Sequence, residues 1–230
     1  METQVPKHIG IILDGNRRWA KSRGLPTFQG HKKGFDNLKK VANHAFDSGV
    51  KILTVYAFST ENWKRDKKEV DYLMDLFRLL VDREARDLFK RGIRLNILGR
   101  LEDFDEDLQD SIARAIDKTK DGKNGALNVC LSYGGRDEIL SAVKNIIKDK
   151  TTPDKIDEKL FSKYLYTKEL PDPEIIIRTS GEQRLSGFLT WQSVYSELFF
   201  PKKCWPAFSP KDLDKIIEEF SSRNRRFGGN

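Results

Sequence analysis

Cysteine is scarce in this chain of 230 residues, with only Cys130 and Cys204 present. They lie far apart and outside any CxxC or Cys/His spacing, so neither a disulfide framework nor a zinc site is expected. No apolar stretch approaches the roughly 20 residues that span a bilayer. The opening "METQVPKHIG" has no signal-peptide apolar core, and the expected localisation is cytoplasmic. GxGxxG follows no predicted strand, GxxxxGK followed by Ser or Thr is missing, and there is no GxSxG. Dinucleotide binding, P-loop nucleotide hydrolysis and nucleophile-elbow chemistry therefore have no support. Nor is there a dense Lys/Arg run interleaved with aromatics, so nucleic acid is not an expected partner.

What the chain does have is charge and short apolar runs. Charged residues make up 33% and apolar residues 38%, a soluble globular balance with enough Ile, Leu, Val and Phe for a core. The net charge of +7 points to anionic partners, and charge alone does not choose between nucleic acid, a phosphorylated small molecule and an acidic membrane surface. Five apolar runs read as buried strands: "HIGIIL", Ile52 to Ser59, Arg94 to Gly99, Ala126 to Tyr133 and Glu174 to Ser180. Helical periodicity fills the gaps, at Gly34 to Phe46, Val70 to Val81, Leu108 to Thr119, Ile139 to Ile147, and after Ser209-Pro210. This alternation predicts an α/β fold, one domain over residues 1–230, with a mostly parallel open central sheet flanked by helices. Irregular structure is expected at Lys148 to Lys155 and Glu169 to Glu174, where proline interrupts.

In open parallel sheets ligands bind beyond the carboxyl ends of the strands. The residues there are "DGNRRW" after the first run, "STENWKR" after the second, "YGGR" after the fourth and "RTSGEQRLS" after the fifth. Few acids, several arginines, small hydroxyls, glycines and amides together suit a multiply charged phosphate ester. "GHKKG", Gly30 to Gly34, reads as a helix start, which would make His31 a phosphate donor. A lone histidine is otherwise more often structural, and each arginine alone reads equally as half of a surface ion pair.

With those groups assembled, the sequence resembles the cis-prenyltransferase family, most closely its bacterial undecaprenyl diphosphate synthases. The motifs "DGNRRWA", "GHKKG", "YAFSTENWKR", "YGGR", "IRTSGEQRLSGFLTWQ", "YSELFF" and "RRFGG" occur in the family's order from about His8 to Gly229. The resemblance implies elongation of an allylic diphosphate, such as farnesyl diphosphate, by cis additions of isopentenyl diphosphate. It further implies Mg²⁺, a homodimer, transient membrane contact at product release, and undecaprenyl diphosphate for a cell-wall lipid carrier. No DDxxD motif is present, so the metal would rest on few carboxylates plus substrate oxygens.

Carried over by position, the resemblance makes Asp14 the principal metal ligand and catalytic acid, with Glu197 the second carboxylate. Gly15, Asn16, Arg17, Arg18 and His31 would cradle the allylic diphosphate, with Trp19 beside it. Ser59, Thr60, Glu61, Asn62, Trp63 and Arg65 would form a loop closing over both substrates. Arg178, Arg184, Leu185 and Ser186 would bind isopentenyl diphosphate, and Arg225, Arg226 and Gly228 would reach a diphosphate across the dimer. The family gives Asn62 the role of proton acceptor, but a neutral amide is a very poor base, so Asn62 is expected to position a water or a diphosphate oxygen instead. The Val70 to Phe89 stripe would line a product tunnel, or simply pack the core.

The chain departs from the family pattern at Thr27, where arginine is common, and at Arg17, Gln183, Gly187 and Ala207. Lys21 or Arg23 could supply the contact missing at Thr27. Three rival readings stay open: a short-chain or irregular prenyl diphosphate synthase on the same scaffold, a non-catalytic prenyltransferase subunit, and a basic nucleic-acid-binding module.

Overall fold

The computed structural model describes residues 4–223. Six strands form one all-parallel sheet: β1 (His8–Ile12), β2 (Ile52–Tyr56), β3 (Ile93–Leu98), β4 (Gly125–Cys130), β5 (Ile175–Arg178) and β6 (Glu197–Phe199). Their spatial order is β3-β4-β2-β1-β5-β6. The four central strands are buried on both faces, which is why their sequences read as near-continuous apolar runs. β6 has three residues and partial exposure, so it carries no such signature and the sequence reading finds only five strands.

Alternation along the strands divides the core. Ile9, Ile11, Leu53, Val55, Leu95, Leu127, Val129, Ile175 and Ile177 belong to one large apolar cluster. That cluster takes in residues of helices α2 (Thr27–Asp47), α3 (Lys67–Leu79), α4 (Ala85–Arg91), α5 (Glu106–Thr119) and α8 (Pro210–Ser222). The opposite face carries a smaller cluster, including Ile12, Tyr56, Cys130, Ile176, Phe188 and Leu189. It also carries a buried polar row: Asn96 donates to Asn128 at 2.8 Å, Asn128 to Thr54 at 2.9 Å, and His8 Nε2 meets the Thr54 hydroxyl at 2.8 Å. A polar row is tolerated there because its members satisfy one another.

The predicted helices are present, mostly with longer bounds, although Val70 to Val81 outruns α3 by two residues into a π-helical segment. Gly34 to Phe46 lies inside α2, Leu108 to Thr119 inside α5, and Ile139 to Ile147 inside α6 (Gly135–Lys148). Ser209 caps α8 in a reciprocal box with Asp212. Two short helices, α1 (Asn16–Lys21) and α7 (Glu158–Ser162), are additional. Between α3 and α4 the helix continues through a π-helical segment, Leu80–Glu84.

One expectation is corrected. "GHKKG" is not a helix start, because α2 begins at Thr27 and carries Gly30 to Gly34 in its interior. Those glycines permit close packing of α1 on α2. A Cβ at Gly30 would stand 2.2 Å from the Asn16 carbonyl oxygen, and one at Gly34 2.3 Å from Asn16 Oδ1. No helix among the described residues is long and apolar enough to cross a membrane.

Candidate active site

β1 sits between β2 and β5, and the chain turns one way from β1 and returns on the other side, so the crevice at the ends of β1 and β5 is the topological switch point. Asp14 leaves β1 there and Arg178 ends β5. Gly15 makes the sharp exit possible: its φ is +100°, and a Cβ would meet Cys204 and Ser180 at 2.8 Å. The main chain at Asp14 is pinned from two sides, its carbonyl accepting from Thr179 Oγ1 at 2.7 Å and Trp205 N–H at 2.9 Å.

The Asp14 carboxylate is shared by two arginines. Arg178 approaches Oδ2 with Nη2 at 2.9 Å and Nε at 3.2 Å, and Arg18 lies 3.2 Å from Oδ1. Partial burial pushes this carboxyl's pKa up, but Arg178 and then Arg18 outweigh it and hold the pKa below the ordinary carboxylate value. The other end of the buried Arg178 donates to Ser186 Oγ at 2.8 Å and the Arg184 carbonyl at 2.5 Å. Arg178 is therefore the hub that joins β1 to the 184–186 segment.

A second acid organises the facing wall. Glu69, on α3, meets His31 Nε2 and Arg65 at 3.1 Å each, with Arg17 at 4.0 Å. Burial pushes the His31 pKa down further than Glu69 raises it, so the ring is neutral near pH 7 and can donate through only one nitrogen. Glu69 is absent from the sequence-based expectations, although Arg65 four residues before it, just ahead of α3, is a readable ion-pair spacing.

The turn Thr60–Lys64 carries its own cap. Asn62 Oδ1 accepts from the Ser59 N–H at 3.2 Å. Its amide group is therefore left with N–H donors to offer the cleft, which suits a positioning role and not a base.

These groups open into one cleft of about 1400 Å³. Asp14, Gly15, Asn16, Arg17, Arg18, Thr27, His31, Ser59, Thr60, Glu61, Asn62, Arg65, Arg178 and Ser186 all line it. Lys21 lines it as well, while Arg23 stacks over the Trp19 ring at 4.5 Å and stays outside. The cleft runs from this polar mouth between α2 and α3, past Leu38, Leu73, Leu76, Phe77 and Leu80. The Val70 to Phe89 stripe thus has both of its readings at once: Leu73, Leu76, Phe77 and Leu80 face the cleft and also belong to the core.

Five of the expected site residues within the described residues stand apart from the lining. Trp19 and Trp63 point elsewhere, and the Arg184 side chain pairs with Glu182 at 2.6 Å on the surface. Leu185 packs against the smaller apolar cluster. Glu197 is distant within the chain: it pairs in register with Ile175, which pairs with Ile9, so it lies near the opposite end of the sheet from Asp14. Five residue steps of parallel strand correspond to roughly 16 Å. Glu197 there accepts from Arg223 at 2.5 Å. Arg225, Arg226 and Gly228 lie outside the described residues.

Asp14, held at the end of β1 in an arginine-lined cleft, suits a cation that arrives with a diphosphate, since Mg²⁺ commonly takes one or two carboxylates plus phosphate oxygens and waters. Among the described residues no group of three His, Cys, Asp or Glu side chains forms a ready metal site. The donor set fits a metal–diphosphate and not a bare ion.

Comparison with known proteins agrees with this geometry. The family model described as "Putative undecaprenyl diphosphate synthase" matches residues 12–228. An isoprenyl transferase of Thermotoga maritima is 49% identical over 98% of both chains. One from Clostridium perfringens is 47% identical over all of this chain and 92% of its own. Among solved structures, lavandulyl diphosphate synthase from Lavandula x intermedia, in complex with dimethylallyl diphosphate, superposes with a TM-score of 0.94 at 35% identity, covering 98% of this chain and 99% of its own. A probable undecaprenyl diphosphate synthase from Campylobacter jejuni gives 0.82 at 30% identity, covering 98% of this chain and 100% of its own.

Proposed function

This chain belongs to the undecaprenyl diphosphate synthase family of isoprenyl transferases, and we propose that it elongates an allylic diphosphate by successive cis additions of isopentenyl diphosphate to a long-chain polyprenyl diphosphate. The observation that carries the reading is the cleft's two-part build. A mouth of arginines, a neutral histidine and small hydroxyls suits diphosphate, and the apolar passage behind it suits a growing hydrocarbon. Its volume exceeds the roughly 300–1,000 Å³ of sites that enclose a drug-sized ligand.

In this reading the allylic carbon–oxygen bond breaks as the new carbon–carbon bond forms, diphosphate leaves, and one proton is lost from the isopentenyl unit. Arg17 and Arg18 hold the departing oxygens, His31 gives its single N–H to Glu69, and Arg178 with Ser186 holds the second diphosphate. Asn62 donates from its amide to fix the oxygen or water that takes the proton. Asp14 would hold Mg²⁺, which supplies charge neutralisation at the leaving oxygens. The product would serve a cell-envelope lipid carrier, reached by transient contact with the membrane, and the enzyme would work in the cytoplasm.

A homodimer is part of the same reading. On α6, Leu140, Val143 and Ile147 are 59%, 39% and 69% exposed at a spacing that puts them on one helical stripe. A stripe of that kind suits a second copy of the chain. Across such an interface Glu197 could join the metal site of the partner, which its own chain's geometry does not allow.

The irregular synthase is the second reading, favoured by the TM-score of 0.94 to lavandulyl diphosphate synthase. One experiment separates the two. Incubation with farnesyl diphosphate, labelled isopentenyl diphosphate and Mg²⁺, followed by mass spectrometry, should yield a ladder ending in a long polyprenyl chain. A product of one or two added units would favour the second reading, and no product from any of several allylic primers would sink both.

A further inference from the structure

The indole of Trp63 points away from the cleft. It packs edge-on against Phe58, with ring centroids 5.0 Å apart, and against Phe104 at 5.4 Å. Its Nε1 donates to Ser132 Oγ at 2.9 Å. The Ser132 hydroxyl donates onward to Asp103 Oδ2, while Asp103 Oδ1 accepts from Arg100 at 2.9 Å. Arg100 also reaches Asp137 of α6 at 3.5 Å.

This relay has one setting. An indole N–H can only donate and a carboxylate can only accept, so the single proton of Ser132 must point to Asp103 and its lone pair to Trp63. Ser132 is fully buried with φ of 45°, a left-handed conformation that a residue other than glycine keeps only where its surroundings over-determine it. The main chains meet at the same place: Thr60 N–H donates to the Tyr133 carbonyl at 3.1 Å, and Ser59 bridges to Tyr133. Trp63 directly follows Asn62 within a five-residue 3-10 turn, so a shift of the indole moves the amide beside it. Ser132 and Asp103 themselves do not line the main cleft.

We propose that Asp103, acting through Ser132, is a positioning residue for isoprenyl transfer. The Asp103–Ser132–Trp63 relay holds the Thr60–Lys64 turn against the loop between β4 and α6, and so sets where Asn62 and Arg65 meet the substrates. The role in turnover rests on the function proposed above; the role in holding the turn does not.

The test combines kinetics with amide hydrogen exchange in the full chain. Ser132→Ala breaks the relay at its centre, and Trp63→Phe removes the N–H while keeping a ring among Phe58 and Phe104. Each should lower kcat/KM roughly tenfold, mainly through KM, as loss of one oriented hydrogen bond implies. The double variant should fall no further than either single one, because both cut the same link. Without substrate, exchange at residues 59–65 should quicken several-fold in Ser132→Ala while exchange in β1 and α8 stays at the wild-type rate. Unchanged exchange at 59–65, or two kinetic losses that multiply, would overturn the proposal. Asp103→Asn keeps the volume and removes the charge, and it decides the matter by the same exchange readout should Ser132→Ala not fold. A wild-type protein that turns over no isoprenyl diphosphate would remove the functional reading and leave exchange to decide the relay.

Discussion

Arg178 closes two of its nitrogens on a single oxygen of Asp14, with Nη2 at 2.9 Å and Nε at 3.2 Å, and gives the rest of its fork to the segment after β5. The pair thus fixes a carboxylate ionised and a binding segment in place with the same side chain. Lysine cannot reproduce that, being a point charge without a planar fork.

Arg178→Lys should therefore reduce kcat/KM by about 100-fold or more, on the scale seen when a group that stabilises a developing charge is removed. Arg178→Met should in addition move the acidic limb of the pH–kcat/KM profile to higher pH. The carboxyl of Asp14 would lose its largest opposing influence while keeping the upward push of burial. Steady-state rates between pH 5 and 8 check both, and an unmoved acidic limb would count against Asp14 as the titrating group.

Gly30→Ala sets two effects against each other. Helix propensity favours alanine by about 1 kcal/mol. The added Cβ would stand 2.2 Å from a backbone oxygen of α1, which cannot swing aside as a side chain can. Overpacking of that kind typically costs about 1–3 kcal/mol, so the variant should be less stable than wild type in urea and should bind diphosphate more weakly through the displaced Asn16 to Arg18.

Acid sensitivity should have an identifiable source in the buried row. Burial lowers the His8 pKa to about 4, against which its hydrogen bond at the Pro171 carbonyl works only in part. The folded state therefore keeps this ring neutral while the unfolded chain protonates it near 6.5. The stabilisation is complete above that value and is lost as pH falls from about 6.5 to 4. Full loss corresponds to about 3 kcal/mol in order of magnitude. Urea unfolding at pH 7 and pH 5 should show a drop in the wild type that is largely absent from His8→Gln.

At the Thr27 departure the two candidate substitutes part company. Lys21 lines the cleft, whereas Arg23 is committed to the Trp19 ring. Lys21→Ala should raise KM for the allylic diphosphate about tenfold, the scale of one charge-assisted contact, and Arg23→Ala should leave it within about twofold, as for other exposed surface changes. No effect from either change would mean that neither residue replaces the missing arginine, and equal losses would mean that both do.

The sheet was legible because burial on both faces demands apolar residues without interruption, as in Ile175–Arg178. Asp14 and Arg178 were legible because a charge directly after such a run has no packing reason to be there. β6 was not, since three half-exposed residues carry no periodicity. Ser132 was also hidden, since it looks like a loop hydroxyl and only tertiary contact gives it partners, whereas Glu69 had a local signal in Arg65 four residues before it and only its His31 partner comes from afar. Glu197 shows the limit of motif position, for the match places it in a set that a single chain keeps apart.

The π-helical turn at Leu80–Glu84 separates a stretch of helix whose residues face the cleft, Leu76, Phe77 and Leu80 among them, from one whose Ala85 and Leu88 lie in the core near β3 and α5. In effect it is a one-residue insertion absorbed where it stands. Gaining or losing a residue there would rotate one stretch against the other by about 100°. The wall that the cleft presents at this depth is therefore set by helical phase as much as by side-chain size. A single codon of length, with no side chain exchanged, would be enough to re-aim it.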